Sequence, residues 1–391
     1  MLRVLVLSSR FPDIVRPNAG NIVERTILAL AGRPDVEVEV VAPVGSPPFP
    51  LSLRRNHARM RPVPSEEIWK GLKVRRPRYR TVPYLPELAP RSIVRTLLPI
   101  LSEARRDFPF DVIAAQFFWP EGPAAVELGR RLGVPVSVKG RGPDVESWAR
   151  RRGAGRMIVE AGRKADGMLA INADLKRQMA ALGMPEERIA VHYTGVDRAL
   201  FRPADRAAEK ARIGVPGPLL LSVGNLIPRK GHLLVLDALT RLEGATLIVA
   251  GGGPDYGLLR DRAAALGVAG RVRLLGLVPY ELMPALYVAA DVTVHAASLE
   301  GFANVRVESL ACGTPVVTTA PGGADELIRS PQAGRIVAPD PAAIAAAALE
   351  LIQRPPSAEE VVSAVERFSW ERNAAEMYAH LRSLAEKRAS A

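Results

Sequence analysis

Two glutamates eight positions apart, Glu300 and Glu308, are the side chains whose type and spacing most suggest chemistry. They lie in SLEGFANVRVESLACGTPVV, residues 298–317, directly after the β-branched run VTVHA. A strand that turns into a helix presents the unbonded N–H groups of the helix, at the positive end of its dipole, beyond the edge of the sheet. Phe302, Ala303, Asn304 and Val305 are expected to open that helix, with Glu308 about one turn further along. Such a tip suits a diphosphate or sugar hydroxyls, and Gly301 lets backbone approach closely. A carboxylate ahead of the helix can hold sugar hydroxyls or a developing positive charge, and one inside it can accept from a ribose diol. Glutamates at this spacing are common on exposed helices. The strand before them and the Gly, Phe and Asn between them favour the functional reading.

Three more segments carry candidate groups. In LSVGNLIPRKGHLLVLDAL, residues 221–239, a strand ends at Gly224, a tight loop carries Arg229 and Lys230, and Gly231 precedes a helix. Two cations at the mouth of a sheet can neutralise a pyrophosphate leaving group without a metal; read alone, they are equally a solvated pair. VAGGGPDYG, residues 249–257, is either a phosphate cradle or a tight turn shaping a wall, and it is not the GxGxxG pattern. After the first strand, Asn18, Ala19, Gly20 and Asn21 form a loop leading into a helix, within reach of a donor phosphate or an acceptor.

The elements that must position these loops alternate in type. RVLVLS, VEVEVVAP, DVIAA, VPVSV, GMLAI and RIAVH read as strands of a first half, and LLLSVG, TLIVAGG, VRLLG, VTVHA, PVVTT and GRIVA as strands of a second, with helical stretches between. This pattern predicts α/β architecture with two doubly wound, Rossmann-like domains facing across a cleft. The polar stretch GVDRALFRPADRAAEKARIG holds the linker, giving domains of residues 1–203 and 204–369, followed by an amphipathic helix over 370–391. In open α/β sheets ligands bind at the carboxyl ends of the strands, where all four segments fall.

Composition sets the surroundings. The 391 residues exceed one ordinary α/β core. The formal charge of +12 favours anionic partners. Ten basic residues (Arg54, Arg55, Arg59, Arg61, Lys70, Lys73, Arg75, Arg76, Arg78, Arg80) stand between positions 54 and 80 against Glu66 and Glu67. They form either a solvated loop or a face for an anionic membrane. No aromatic-interleaved basic motif points to nucleic acid. The single Cys312 fits a reducing compartment and reads as a buried thiol. No run is long enough for a transmembrane helix, so a cytoplasmic protein, at most peripheral to the inner face of the membrane, is expected. His57, His192, His232 and His295 lack metal-ligand spacing, although His295 ends a strand beside Glu300.

Taken together, Glu300 to Glu308, the RKG loop from Gly224 to Gly231, GVDRALFRP and FSWERNA resemble family 4 retaining glycosyltransferases of the two-domain GT-B fold. The resemblance implies that the terminal helix crosses back to the first domain. It implies that Lys230 and Arg229 bind the donor diphosphate and that Glu300 faces the transferred sugar. Gly301, Phe302, Ala303, Asn304 and Val305 would offer backbone groups, and Glu308 would hold the ribose. Gly276 and Val278 would meet the base, with Gly20 and Asn225 also on the donor side. The donor would be a UDP- or GDP-sugar, the acceptor a polysaccharide or lipid-linked glycan of the cell envelope, and no metal or other cofactor is expected.

This chain departs from the family pattern at three positions. Gln116 and Arg141 stand where histidines are frequent, and Asn225 where an arginine is. Glutamine can orient a sugar hydroxyl but cannot act as a general base near neutral pH. Gln116 therefore joins the catalytic candidates on the first-domain side, with Asn18, Asn21, Arg141 and Asp144 on the acceptor side. A nucleotide-sugar epimerase of similar build is the alternative enzyme, disfavoured by the RKG loop with its two glutamates. A non-catalytic nucleotide-sugar binder is the alternative that Gln116 and Asn225 motivate.

Overall fold

A computed structural model describes residues 1–54 and 58–389. The chain divides into two compact units, residues 1–195 with 370–391, and residues 196–369. The division falls eight residues before the boundary expected from sequence, because residues 196–203 pack with the second unit. The Val196 N–H donates to the Phe368 carbonyl at 3.3 Å, and the Phe201 ring lies 5.0 Å from Tyr280 and 6.0 Å from Tyr287. Part of the stretch read as a linker is helical (Arg206–Ile213), its first turn capped by Asp205.

The first unit contains β1 (Leu2–Leu7), β2 (Val36–Val41), β3 (Val44–Ser46), β4 (Glu66–Trp69), β5 (Leu72–Arg75), β6 (Arg78–Arg80), β7 (Val112–Ala115), β8 (Val136–Gly140), β9 (Gly167–Ala170) and β10 (Ile189–Val191). Its main sheet runs β10-β9-β8-β7-β1-β2-β5-β4, parallel except for β4, while β3 and β6 pair as a separate parallel ribbon. The side chains of Val136 and Val138 face helix α3 (Glu121–Leu132), which lies beside α2 (Ala89–Ala104) and α4 (Arg152–Lys164). Ser137, of opposite parity on the same strand, faces the C-terminal helix α7 (Trp370–Ala389) through its bond to His380 at 2.8 Å. α7 packs on α1 (Asn21–Ala31), and its Met377 and Leu381 enter one apolar core with Val4, Val6, Ile27 and Val40.

The ten basic residues are not one free face. Arg55, like His57, lies outside the described residues, and β4, β5 and β6 run through the rest of the segment. Arg76 is buried, donating to Glu67 at 2.7 Å and to the Pro12 carbonyl. Arg78 donates to the carbonyls of Met60, Arg61 and Val63. Lys70 pairs with Glu24, and Lys73 and Arg75 pair with Glu39 and Glu66. Strand pairing brings acids and carbonyls from elsewhere onto half of the cations.

The second unit holds β11 (Leu219–Val223), β12 (Thr246–Ala250), β13 (Val272–Gly276), β14 (Val292–His295), β15 (Val316–Thr318) and β16 (Gly334–Ile336), all parallel, in the order β13-β12-β11-β14-β15-β16. The chain builds outward from β11 through β13, then returns to lay β14 on the other side of β11. Successive connections diverge between β11 and β14, which opens a crevice at their carboxyl ends. Helix α5 (His232–Leu239) leaves the β11 loop and α6 (Asn304–Ala311) leaves the β14 loop.

Leu381 has no exposed surface. Leu381→Ala is expected to cost about 3 kcal/mol, read as a lower midpoint in denaturant unfolding. An unchanged midpoint would show that α7 is not part of the first unit's core.

Candidate functional site

The loop after β11 reaches the loop after β14 because glycine permits it. Gly231 has φ +71°, and a Cβ there would lie 1.9 Å from the Ala296 carbonyl oxygen, so only glycine lets the RKG turn press onto the neighbouring strand end. The Ser298 N–H donates to the Arg229 carbonyl at 2.9 Å, and the Arg229 guanidinium donates to the Leu299 carbonyl at 3.0 Å. With the loops tied at these points, the Lys230 ammonium donates to Glu300 Oε2, and both side chains are largely withdrawn from water. His295, the buried last residue of β14, places Nε2 at 3.5 Å from the same oxygen.

Burial alone would raise the Glu300 carboxyl. The His295 imidazole and Lys230 ammonium facing it outweigh burial and hold it well below the usual carboxylate range, so Glu300 is ionised at neutral pH. Burial pushes the His295 imidazole down, keeping it neutral there. Sequence reasoning missed a second cation, Arg306. It is fully buried in α6, and its Nη2 donates to the Pro321 and Gly322 carbonyls at 2.9 and 3.0 Å, while Nε and Nη1 have no hydrogen-bond partner. Burial lowers its pKa to about 10, which leaves it charged, and it adds to the positive field on Glu300. An arginine among Val305 and Val307 was the available signal, since a charge amid apolar neighbours on a buried helix needs a partner.

The helix begins at Asn304, two residues later than expected. Phe302 is anchored on the Phe368 ring, centroids 5.7 Å apart, and Ala303 is extended at the helix start, where no side chain caps the first N–H groups. That uncapped end stands beside Glu300 in the chain. Glu308 is oriented by Tyr287, whose hydroxyl donates to it at 2.9 Å. Burial and the Glu308 charge push that phenol's pKa well up.

The triple glycine serves as a tight turn. A Cβ on Gly251 would stand 1.8 Å from the Gly224 carbonyl oxygen, and one on Gly253 2.4 Å from that of Leu226. The Gly251 N–H donates to the Gly276 carbonyl at 2.8 Å. These contacts stack the loops after β11, β12 and β13, so exposed Asn225 and half-buried Gly276 and Val278 share the sheet end that carries Arg229, Lys230 and Glu300.

The first-unit candidates are placed differently. Gly20, at φ +80°, abuts the Arg10 carbonyl, with Asn18 exposed and Asn21 half-buried beside it. Gln116 is buried, and its amide is occupied: Oε1 accepts from Arg141 at 2.8 Å and Nε2 donates to the Ala114 carbonyl at 3.4 Å. It orients Arg141 within the first unit. Asp144 accepts from the Phe118 and Arg141 N–H groups at 2.7 and 2.8 Å, so it pins the loops after β7 and β8. Glu121, overlooked in the sequence, is buried at the start of α3, and its Oε1 accepts from the Ser9 N–H and hydroxyl at 2.7 and 2.6 Å. It stitches together the loops after β1 and β7, where successive connections in the first sheet diverge. Among the described residues no cluster of three or more His, Cys, Asp and Glu side chains could hold a metal. His192 bonds Lys139 and His232 bonds Ser222, as packing residues.

Comparisons with known proteins match this layout. The family described as glycosyl transferases group 1 matches residues 204–386, and the glycosyl transferase 4-like domain matches residues 19–195. A D-inositol 3-phosphate glycosyltransferase of Geodermatophilus obscurus is 35% identical over 268 residues, 63% of this chain and 58% of that protein. One from Mycobacterium tuberculosis is 37% identical over 182 residues, 44% of this chain and 38% of that protein. The matches thus span less than two thirds of these relatives' length. Among solved structures, sucrose-phosphate synthase from Thermosynechococcus elongatus superposes with a TM-score of 0.79 at 18% identity, covering 99% of this chain and 100% of that one. Anabaena HepE in complex with UDP gives 0.75 at 21%, covering 98% and 100%. Those two likenesses concern the fold.

Burial pushes the Glu121 carboxyl up to about 7, so its protonated form is favoured in the folded state. Its contribution to stability is present below the ordinary carboxylate pKa and is lost as pH rises through about 7. Glu121→Gln is expected to flatten the fall in stability between about pH 4.5 and 7. Denaturant unfolding at several pH values checks this, and an unaltered pH profile would rule out titration at Glu121.

Proposed function

This chain belongs to the group 1 glycosyltransferases of the GT-B fold, with a 4-like first half, and on that premise we propose that it transfers a sugar from a nucleotide-sugar to an acceptor hydroxyl with retention of anomeric configuration. The observation that carries the reading is the Lys230–Glu300 pair, held beside an uncapped helix start in the crevice between β11 and β14. An ammonium has three N–H donors. Lys230 can keep Glu300 on one and give another to a donor phosphate oxygen, while the first N–H groups of α6 take further diphosphate oxygens. Glu300, ionised, then faces the hydroxyls of the transferred sugar, and Glu308, fixed by Tyr287, accepts from the ribose.

In the reaction, the acceptor oxygen bonds to the anomeric carbon on the face the diphosphate leaves. The carbon–oxygen bond to phosphate breaks, its electron pair goes to the diphosphate, and the acceptor proton goes to a diphosphate oxygen. The positive groups Arg229, Lys230 and the α6 tip stabilise the leaving charge, so no metal is required. A UDP-sugar is the favoured donor, supported by the Anabaena HepE complexes with UDP and with UDP-glucose. The acceptor is a glycan or lipid-linked envelope component, recognised by first-unit loops, and the relatives' names add an inositol phosphate to the acceptors to be tried. The enzyme works as a peripheral protein at the inner membrane face; no helix among the described residues is long and apolar enough to cross a membrane.

Incubation with UDP- and GDP-sugars is expected to release nucleoside diphosphate, undiminished by a chelator, and NMR of the product is expected to show retained configuration. Saturable binding without turnover would leave a non-catalytic binder, and neither binding nor turnover would refute the reading. Glu300→Gln or Lys230→Ala is expected to lower kcat/KM by about 100- to 1000-fold. Because the pair is mostly buried, each single change also costs about 3 kcal/mol of stability. The double variant Lys230→Met with Glu300→Gln should recover much of that stability and none of the activity. Recovery of activity with stability would mean that the pair is structural only.

A further inference from the structure

The helices α2, α3 and α4 of the first unit enclose a groove of about 760 Å³. Its floor is apolar, with Val94 and Leu98 from α2, Val126 from α3 and Met157 from α4. Its rim carries Arg91, Arg95, Arg130, Arg131 and Lys164 against two carboxylates, Glu127 and Glu160. Those acids are engaged: Glu127 accepts from Arg130 and Arg131 at 2.6–3.0 Å, and Glu160 accepts from Lys164 at 2.6 Å. Arg91 and Arg95 stand one turn apart on the exposed side of α2, and neither has an ion-pair partner among the described residues.

The chain entering α2 adds an apolar lip. Tyr84 is 96% exposed and Leu85 51%, followed by exposed Leu88 just before the helix. Tyr84 holds φ +65°, a strained conformation for a residue with a Cβ. The Thr81 N–H donates to the Ser46 carbonyl at 3.0 Å, so the neighbouring segment leaves the same end of the β3–β6 ribbon and adds exposed Phe49.

We propose that this groove and lip dock on an anionic lipid bilayer, with a phospholipid headgroup phosphate on Arg91 and Arg95, its acyl chain on the apolar floor, and Tyr84 and Leu85 in the interface. Charge complementarity selects an anionic partner. The apolar floor and lip select a lipid over a soluble anion, which would gain nothing from them. The site takes over the role read from sequence for residues 54–80, half of whose cations are paired internally. It does not rest on the transfer chemistry, and binding can be measured without any sugar donor.

The full chain is sedimented with phosphatidylcholine vesicles with and without phosphatidylglycerol, at low and high salt. Salt-sensitive binding confined to the anionic vesicles is expected. Each basic residue near an anionic surface is worth about fivefold in partitioning, so Arg91→Gln with Arg95→Gln should weaken binding at least about 25-fold with an unchanged unfolding midpoint. Tyr84→Ser with Leu85→Ser should also weaken it, while Arg59→Gln with Arg61→Gln should leave most of it intact. The proposal is overturned by equal binding to neutral vesicles, by no binding to either, by wild-type binding of the Arg91 and Arg95 variant, or by loss confined to the Arg59 and Arg61 variant. It is also overturned if millimolar inorganic phosphate or a short nucleic acid releases the protein from vesicles at constant ionic strength.

Discussion

The second unit is organised around one electrostatic requirement: a carboxylate mostly removed from water must be faced by positive charge. Glu300 meets it with the Lys230 ammonium in contact and the buried Arg306 guanidinium close behind. A lone buried carboxylate would take up a proton instead. Lys230 reaches Glu300 only because β11 and β14 are neighbours, which brings the ends of two segments about seventy residues apart in the chain to one place. Gly231 then removes the side chain that would keep the RKG turn from the Ala296 carbonyl. Strand order, a glycine and two cations are thus parts of one arrangement. Its product is a buried ion pair assembled at the carboxyl ends of β11 and β14, beside the start of α6.

The first unit has a comparable divergence of connections between β1 and β7, and it uses polar residues there for another purpose. Glu121 joins the loops after those strands through Ser9, while Asp144 and Arg141 fix the loops after β7 and β8 by bonds to main-chain groups and to Gln116. These side chains define the shape of the sheet end. The outer helical layer of the same unit carries its cations in a different state. Arg91 and Arg95 remain in solvent beside an apolar groove, whereas Arg76 and Arg78 are drawn into internal bonds. Local charge density in the chain does not distinguish these cases, since the pairing acids and carbonyls come from distant strands.

Much of the architecture was legible in the sequence because its signals are local. Runs such as RVLVLS and TLIVAGG, alternating with helical stretches, specify parallel strands and crossover helices whatever lies around them. The strand-to-helix setting of Glu300 and the RKG turn could be read for the same reason, and so could the amphipathic helix at the C-terminal end. What stayed hidden depends on partners far away in the chain. β4, β5 and β6 are short, charged strands whose identity comes from pairing, and the unit boundary shifts because Phe201 packs on Tyr280 and Tyr287. The sequence by itself determined two doubly wound α/β halves and the strand-end loops that carry the candidate site. Only the tertiary structure decided which polar groups remain available, tying up Gln116 and Asp144, burying Glu121 and Arg306, and leaving Arg91 and Arg95 in solvent. The physical reason is that secondary structure follows from nearest neighbours, whereas burial and charge pairing are set by contacts that exist only once the sheets have formed.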